Sequence, residues 1–167
     1  MSRIVLSRDT LPCFVCDPDC LPGIRRVAAM VMGDVEKVFG AGAEKCDLTP
    51  QELQVKAGVK LIFGVAGSSA LIDDMASRGI IDISGISGKR EVYGFFPVGD
   101  DTLVIAGSDK RGTIYGLFHL SELMDVSPFV NWSALMPAKK DSLVLDDSHL
   151  YISKEPSVEY RGFFIND

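Results

Sequence analysis

The sequence predicts an α/β fold: a mixed β-sheet packed in two layers by about three helices. Two short runs, Val59–Val65 and Thr102–Ala106, are apolar and rich in β-branched residues, as covered strands are. Each ends in a glycine-bounded turn that leads into a segment with helical spacing. A third observation is size: 167 residues with 47% hydrophobic content suit one domain with a sizeable core.

Arg3–Ser7 and Leu11–Cys16 are two short β-like runs separated by Arg8-Asp9-Thr10, an arrangement that suits a hairpin or two adjacent strands. Pro22 opens a helix at the position where its missing N–H costs nothing. Ile24, Val27, Ala28, Val31, Val35, Val38 and Phe39 repeat at three-four spacing, and Gly40 stops the helix. Residues 40–58 are mixed and polar and read as loop. After the 59–65 strand, Ser68 or Ser69 caps a short helix, Ala70–Arg78, whose inner face is Leu71, Ile72, Met75 and Ala76 and which Gly79 ends. Ile80–Ile83 is a brief strand or bend, and 84–89 a glycine-serine loop. Glu91–Val98 and Thr102–Ala106, joined by Gly99-Asp100-Asp101, read as an antiparallel pair.

The long helix that follows organises the chain. Ser108 or Asp109 caps it, and Pro128 closes the element. Ile114, Leu117, Phe118, Leu120, Leu123 and Met124 form its expected inner face. Gly112 and Gly116 lie one turn apart on one side, so something packs very close there: the sheet beneath, or a further domain. Ser142–Leu145 is a small strand after an irregular segment that holds the lone tryptophan, Trp132.

Several kinds of chemistry are excluded. A net charge of −6 and a pI near 4.9 leave no basic face for nucleic acid. No run of 18 apolar residues exists, so no membrane-spanning helix is expected. A mean hydropathy of +0.19 leans apolar and points to surface that belongs against a partner. The start lacks the apolar stretch of a signal peptide. A cytoplasmic protein is expected if Met1 is the native start, and otherwise a secreted or periplasmic one whose signal has been removed. Gly107–Gly112 has the spacing of a phosphate loop, but Thr113-Ile114 stands where lysine and a hydroxyl residue are needed. Ser108, Lys110 and Arg111 remain candidate anion contacts at the helix N-terminus, and an anion- or nucleotide-binding domain through Gly107–Thr113 is one alternative function.

Cys13, Cys16 and Cys20 are clustered and Cys46 stands apart, without the paired spacing of structural zinc. On a strand Cys13 and Cys16 point to opposite faces. Reduced thiols, no metal and no cofactor are expected. His119 and His149 form no obvious triad, and the acid pairs Asp73-Asp74, Asp100-Asp101 and Asp146-Asp147 fall at surfaces or turns. A stand-alone carbohydrate-binding module would need an aromatic platform, for which Phe129, Trp132 and Tyr151 are the material.

The chain stops two residues after an apolar run, Phe163-Phe164-Ile165, so a continuation beyond Asp167 is expected. Ala106–Gly116, Leu120–Pro128 and Glu155–Asp167, with weaker agreement over Pro22–Gly40 and Gly67–Gly79, resemble glycoside hydrolase family 115, the xylan α-glucuronidases. The resemblance covers nearly this whole chain but only the front of the family's longer proteins. It implies an accessory α/β domain over 1–155, like the second domain of hexosaminidases. It further implies that 156–167 is a linker and the start of a truncated (β/α)8 catalytic barrel, with Tyr160–Ile165 as its first strand. The family's catalytic acids lie in that barrel, so this chain alone is expected to be inactive. Asn166 and Asp167, near a strand's C-terminal end, and Trp132 are implied at the active-site rim of the full enzyme. The partners implied are the protein's own barrel and a xylan-type oligosaccharide carrying (4-O-methyl)glucuronic acid. The family is rich in tryptophan after the Ser127-Pro128 position, whereas Phe129–Ser133 here is poorer; should that loop reach the pocket, the sugar accepted would differ. An orphaned apolar tail is expected to fold back along its own sheet, to pack on another copy of the chain, or to be disordered.

Overall fold

The computed structural model describes residues 1–130, 132–133 and 135–162. In chain order the elements are β1 (Arg3–Ser7), β2 (Cys13–Cys16), α1 (Pro22–Phe39), β3 (Glu44–Asp47), α2 (Pro50–Leu53), β4 (Lys60–Val65), α3 (Ala70–Ser77), β5 (Tyr93–Val98), β6 (Thr102–Gly107), α4 (Lys110–Leu123), β7 (Ser142–Asp146), a 3-10 turn (Asp147–His149) and β8 (Tyr151–Ile152). Six strands form one mixed sheet in the order β3-β2-β4-β6-β5-β8. The pairings β3-β2, β2-β4 and β4-β6 are parallel, while β5 runs antiparallel to β6 and β8 antiparallel to β5.

The α/β class and the mixed sheet agree with expectation, but helices cover both faces. Strand alternation explains why. Phe14, Leu61, Phe63, Leu103 and Ile105 point to one side, where they meet Ile24, Val31 and Val35 of α1 and Leu117 and Leu120 of α4. Val15, Ile62, Val104 and Ala106 point to the other and meet Leu71, Ile72 and Met75 of α3. The expected two layers thus gain a thinner third.

The N-terminal hairpin does not form. β1 pairs with β7, antiparallel, in a separate two-stranded ribbon. The burial patterns account for this: β2 is covered along its whole length and takes an interior place in the sheet, whereas β1 alternates and needs only one covered face. Residues 40–58, read as loop, hold the polar edge strand β3 and the short helix α2. Residues 80–83, expected as a brief strand or bend, hold a bend at Ile80-Ile81.

In α4 the two glycines face inward. A Cβ on Gly112 would strike the Val92 carbonyl, and one on Gly116 would strike Ile105 and the Tyr93 ring. The helix is seated on its own sheet through these positions. That orientation turns Phe118, expected inside, outward to 38% exposure.

The last described residues return along the domain. Ser153 N–H donates to the Tyr93 carbonyl at 2.9 Å. Arg90 donates a guanidinium N–H to the Pro156 carbonyl at 3.1 Å and lies 3.7 Å from the Glu159 carboxylate. Of the strand expected over Tyr160–Ile165, residues 163–165 lie outside the described residues, and Tyr160 belongs to no strand.

Candidate functional site

Helices α1 and α4 lie side by side on one face of the sheet. Between them, and closed by residues 126–130 and Trp132, runs a groove of about 870 Å³. Its walls carry Met30 from α1, Tyr115 and Phe118 from α4, and Trp132, which is 83% exposed. The small Gly33 widens it on the α1 side. The polar groups of its floor are mostly committed. Asp34 accepts the Ser121 hydroxyl at 2.9 Å and pairs with the Lys37 ammonium at 2.9 Å. His119 packs among the rings of Phe95, Tyr151 and Tyr93, with centroids 4.9, 5.3 and 5.7 Å away. Burial lowers its pKa and so favours the neutral imidazole, and its buried Nδ1 has no partner among the described residues. An apolar slot of this kind is suited to holding a complementary surface.

A second hollow of about 450 Å³ lies at the C-terminal ends of the parallel strands, the usual ligand position in open α/β sheets. Ser108 and Lys110 line it; Arg111 does not. Here the chain's own carboxylates occupy the free amides. Asp109 accepts the Gly112 N–H at 2.8 Å and the Glu91 N–H at 2.7 Å, capping α4 where a phosphate would sit. Ser108 Oγ accepts the Val92 N–H at 3.0 Å. At the N-terminus of α3 the buried Asp17 accepts the Ser69 hydroxyl and, at 3.2 Å, the Leu71 N–H. The glycine-serine turns before both helices are therefore closed by aspartate.

Arg111 turns instead to Glu91. This glutamate holds a left-handed backbone conformation at φ 57° and buries its carboxylate to 4% exposure. It pairs with Arg111 at 2.9 Å and with Arg161. The two guanidinium groups, Arg161 first, hold its carboxyl below the usual range. Arg161 also donates to the Tyr115 hydroxyl at 3.4 Å, so the C-terminal segment is anchored at the rim of the groove.

Of the residues the sequence singled out, Trp132 lies at the groove, Ser108 and Lys110 at the strand-end hollow, and Arg111 in the Glu91 cluster. Asn166 and Asp167 lie outside the described residues. Phe129 and Trp132 are both exposed with rings 6.3 Å apart, but their planes are tilted by 52° and make no single flat platform. Tyr151 stacks elsewhere, on Tyr93 and His119. Sequence reasoning missed Glu91, Asp17 and the groove itself. Glu91 carries no local signal, since both its partners are distant in sequence. Asp17, which ends a buried strand and faces a Ser-Ser-Ala helix start, could have been read as a long-range cap.

A mixed sheet with helices on both faces, an occupied phosphate position and an apolar groove define an α/β domain with a surface fitted for packing. Comparison with solved structures is more particular. The chain is similar to a family GH115 4-O-methyl-α-glucuronidase with specificity for decorated arabinogalactans, with a TM-score of 0.77, 30% identity and coverage of 94% of this chain. It is also similar to the protein named CpGH84D, with a TM-score of 0.54, 10% identity and coverage of 86% of this chain, a likeness of fold alone. The chain is thus GH115-like in sequence and fold, and it spans only 19% and 20% of those two proteins. No protein-family model matches it, and no curated protein does.

Proposed function

We propose that this chain is the accessory domain of a glycoside hydrolase whose catalytic barrel packs against the α1–α4 groove. The full enzyme would remove (4-O-methyl)glucuronic acid side chains from xylan. The observation that carries the reading is the groove's meeting with the anchored tail. Tyr115 both lines the apolar slot and receives Arg161, so a polypeptide continuing past residue 162 starts beside exposed apolar surface. Covering Met30, Phe118 and Trp132 with a neighbouring domain would remove that surface from water. A second polysaccharide is favoured by one observation: the GH115 enzyme of similar structure is specific for decorated arabinogalactans. The tryptophan-poor loop around Trp132 fits a departure from xylan.

The test incubates the 167-residue chain, and a longer form that includes the residues encoded after Asp167, with glucuronoxylan oligosaccharides and with decorated arabinogalactan. Chromatography reads the uronic acid released. Release by the longer form alone is expected. Release by the 167-residue chain would refute the accessory role, and release from arabinogalactan only would replace xylan as the substrate.

A further inference from the structure

Two cysteines distant in sequence meet on the face of the sheet opposite the groove. Cys13 of β2 is 6% exposed, and Cys46 of the neighbouring β3 is half-buried. Parallel pairing sets Cys46 beside Val15, so Cys13 is its diagonal neighbour, and both side chains pack with the α3 cluster. Their sulfurs are 2.8 Å apart, within about an ångström of the bonding distance in a disulfide. Among the described residues β3 is an edge strand bonded only to β2, free to give the small remaining shift. The Lys56 ammonium stands at the same place, 3.8 Å from Glu44, and the adjoining sulfurs of Cys13 and then Cys46 hold it above its ordinary range.

We infer that Cys13 and Cys46 form an oxidation site, a dithiol that closes to a disulfide with a low-molecular-weight disulfide as oxidant. Cys46, the more accessible sulfur, attacks first. Its thiolate bonds to one sulfur of the oxidant and releases the other as a thiolate, which takes up a proton. Cys13 then gives up its proton and attacks Cys46, and the second small thiol leaves. Two protein thiols are oxidised by two electrons, and one small disulfide is reduced to two thiols. Burial pushes the Cys13 thiol up to about 12, which suits it to the second step rather than the first. The other two cysteines, Cys16 and Cys20, pack on the α1 side of the sheet, where the Cys16 thiol donates to Asp47 at 3.4 Å.

The experiment equilibrates the chain with oxidised glutathione in the presence of a chelator, quenches it, digests it with trypsin and weighs the peptides. Cys13, Cys16 and Cys20 share one tryptic peptide and Cys46 lies in another. A C16S/C20S variant therefore leaves one possible internal bond. In that variant the two free thiols are expected to fall to none, with the two peptides joined and 2 Da lighter than their sum. Introducing Cys13→Ser should abolish the link in the wild-type background. Should C16S/C20S fail to fold, fragmentation between Cys13 and Cys16 in the linked wild-type peptide assigns the bond. Two thiols that stay free, separate glutathione adducts on Cys13 and Cys46, or a bond from Cys46 to Cys16 or Cys20 would each overturn the proposal. So would an equimolar zinc ion, added without chelator, that C46S no longer binds and that blocks closure in the wild type.

Discussion

Gly112→Ala tests whether α4 is pinned to its own sheet. The new Cβ would meet the Val92 carbonyl oxygen, a backbone atom that no rotamer change can move. That carbonyl is held in turn by the Ser108 N–H at 2.8 Å. Relief therefore requires the helix to lift or the β5 entry to shift, at a cost of about 2–3 kcal/mol, the upper part of the range for overpacking because backbone must move. Alanine's better helix propensity returns up to about 1 kcal/mol. The expected net loss is about 1–2 kcal/mol, or roughly 2–8 °C in Tm for a chain of this size. Gly33→Ala is the control. It lies inside α1 with nothing within 4 Å of an added Cβ, so only the propensity gain remains, up to about 1 kcal/mol of added stability. Urea unfolding of both variants at unchanged m-value reads the two signs. Gly112→Ala as stable as the parent chain would refute the close helix–sheet contact.

Two further predictions concern carboxylates. Because the arginines depress the Glu91 pKa in the folded state, its contribution is fully present above the unfolded value, near 4.3, and is lost as pH falls through the lower folded value. Glu91→Gln should therefore lower Tm at pH 7 and narrow the gap to the parent chain below about pH 4, as a thermal series across pH would show; a gap that widens on acidification would reverse the sign. Asp17→Ala should cost about 1–3 kcal/mol, because it leaves the Leu71 N–H and the Ser69 hydroxyl without their buried acceptor. Chemical denaturation measures this, and a loss under 0.5 kcal/mol would mean that water replaces the cap.

The elements with their own periodicity were legible. Pro22–Phe39 runs between a first-turn proline and a left-handed glycine, Gly40, and both bounds of α1 follow from those two residues. The β5-β6 pair follows from Gly99-Asp100-Asp101 between two apolar runs. Opposite facing of Cys13 and Cys16 follows from strand alternation. What escaped depends on partners. β3 is polar, EKCD, and becomes a strand only because β2 offers it an edge. α2 could have been read from Thr49-Pro50-Gln51-Glu52, a capping box present in the structure. The outward turn of Phe118 follows from the glycines, whose lack of side chains, rather than the apolar residues around them, chooses the buried side of α4. Among the candidate site residues, Trp132 stands out in the sequence as an isolated aromatic, and Ser108, Lys110 and Arg111 as members of a loop motif. The cap that Asp109 places on Gly112 is local and was legible; that Asp109 would also accept the Glu91 N–H, and that Glu91 would take Arg111, are long-range facts.

A catalytic domain docked on the α1–α4 groove would slow amide exchange along both helices. Hydrogen exchange on the 167-residue chain and on the longer form tests this docking most directly. Slower exchange is expected in the longer form for peptides spanning Met30–Lys37, Tyr115–Glu122 and Val126–Trp132, with the Cys13–Cys46 edge of the sheet unchanged. Equal exchange across the groove in both forms, or protection confined to the opposite face, would contradict it.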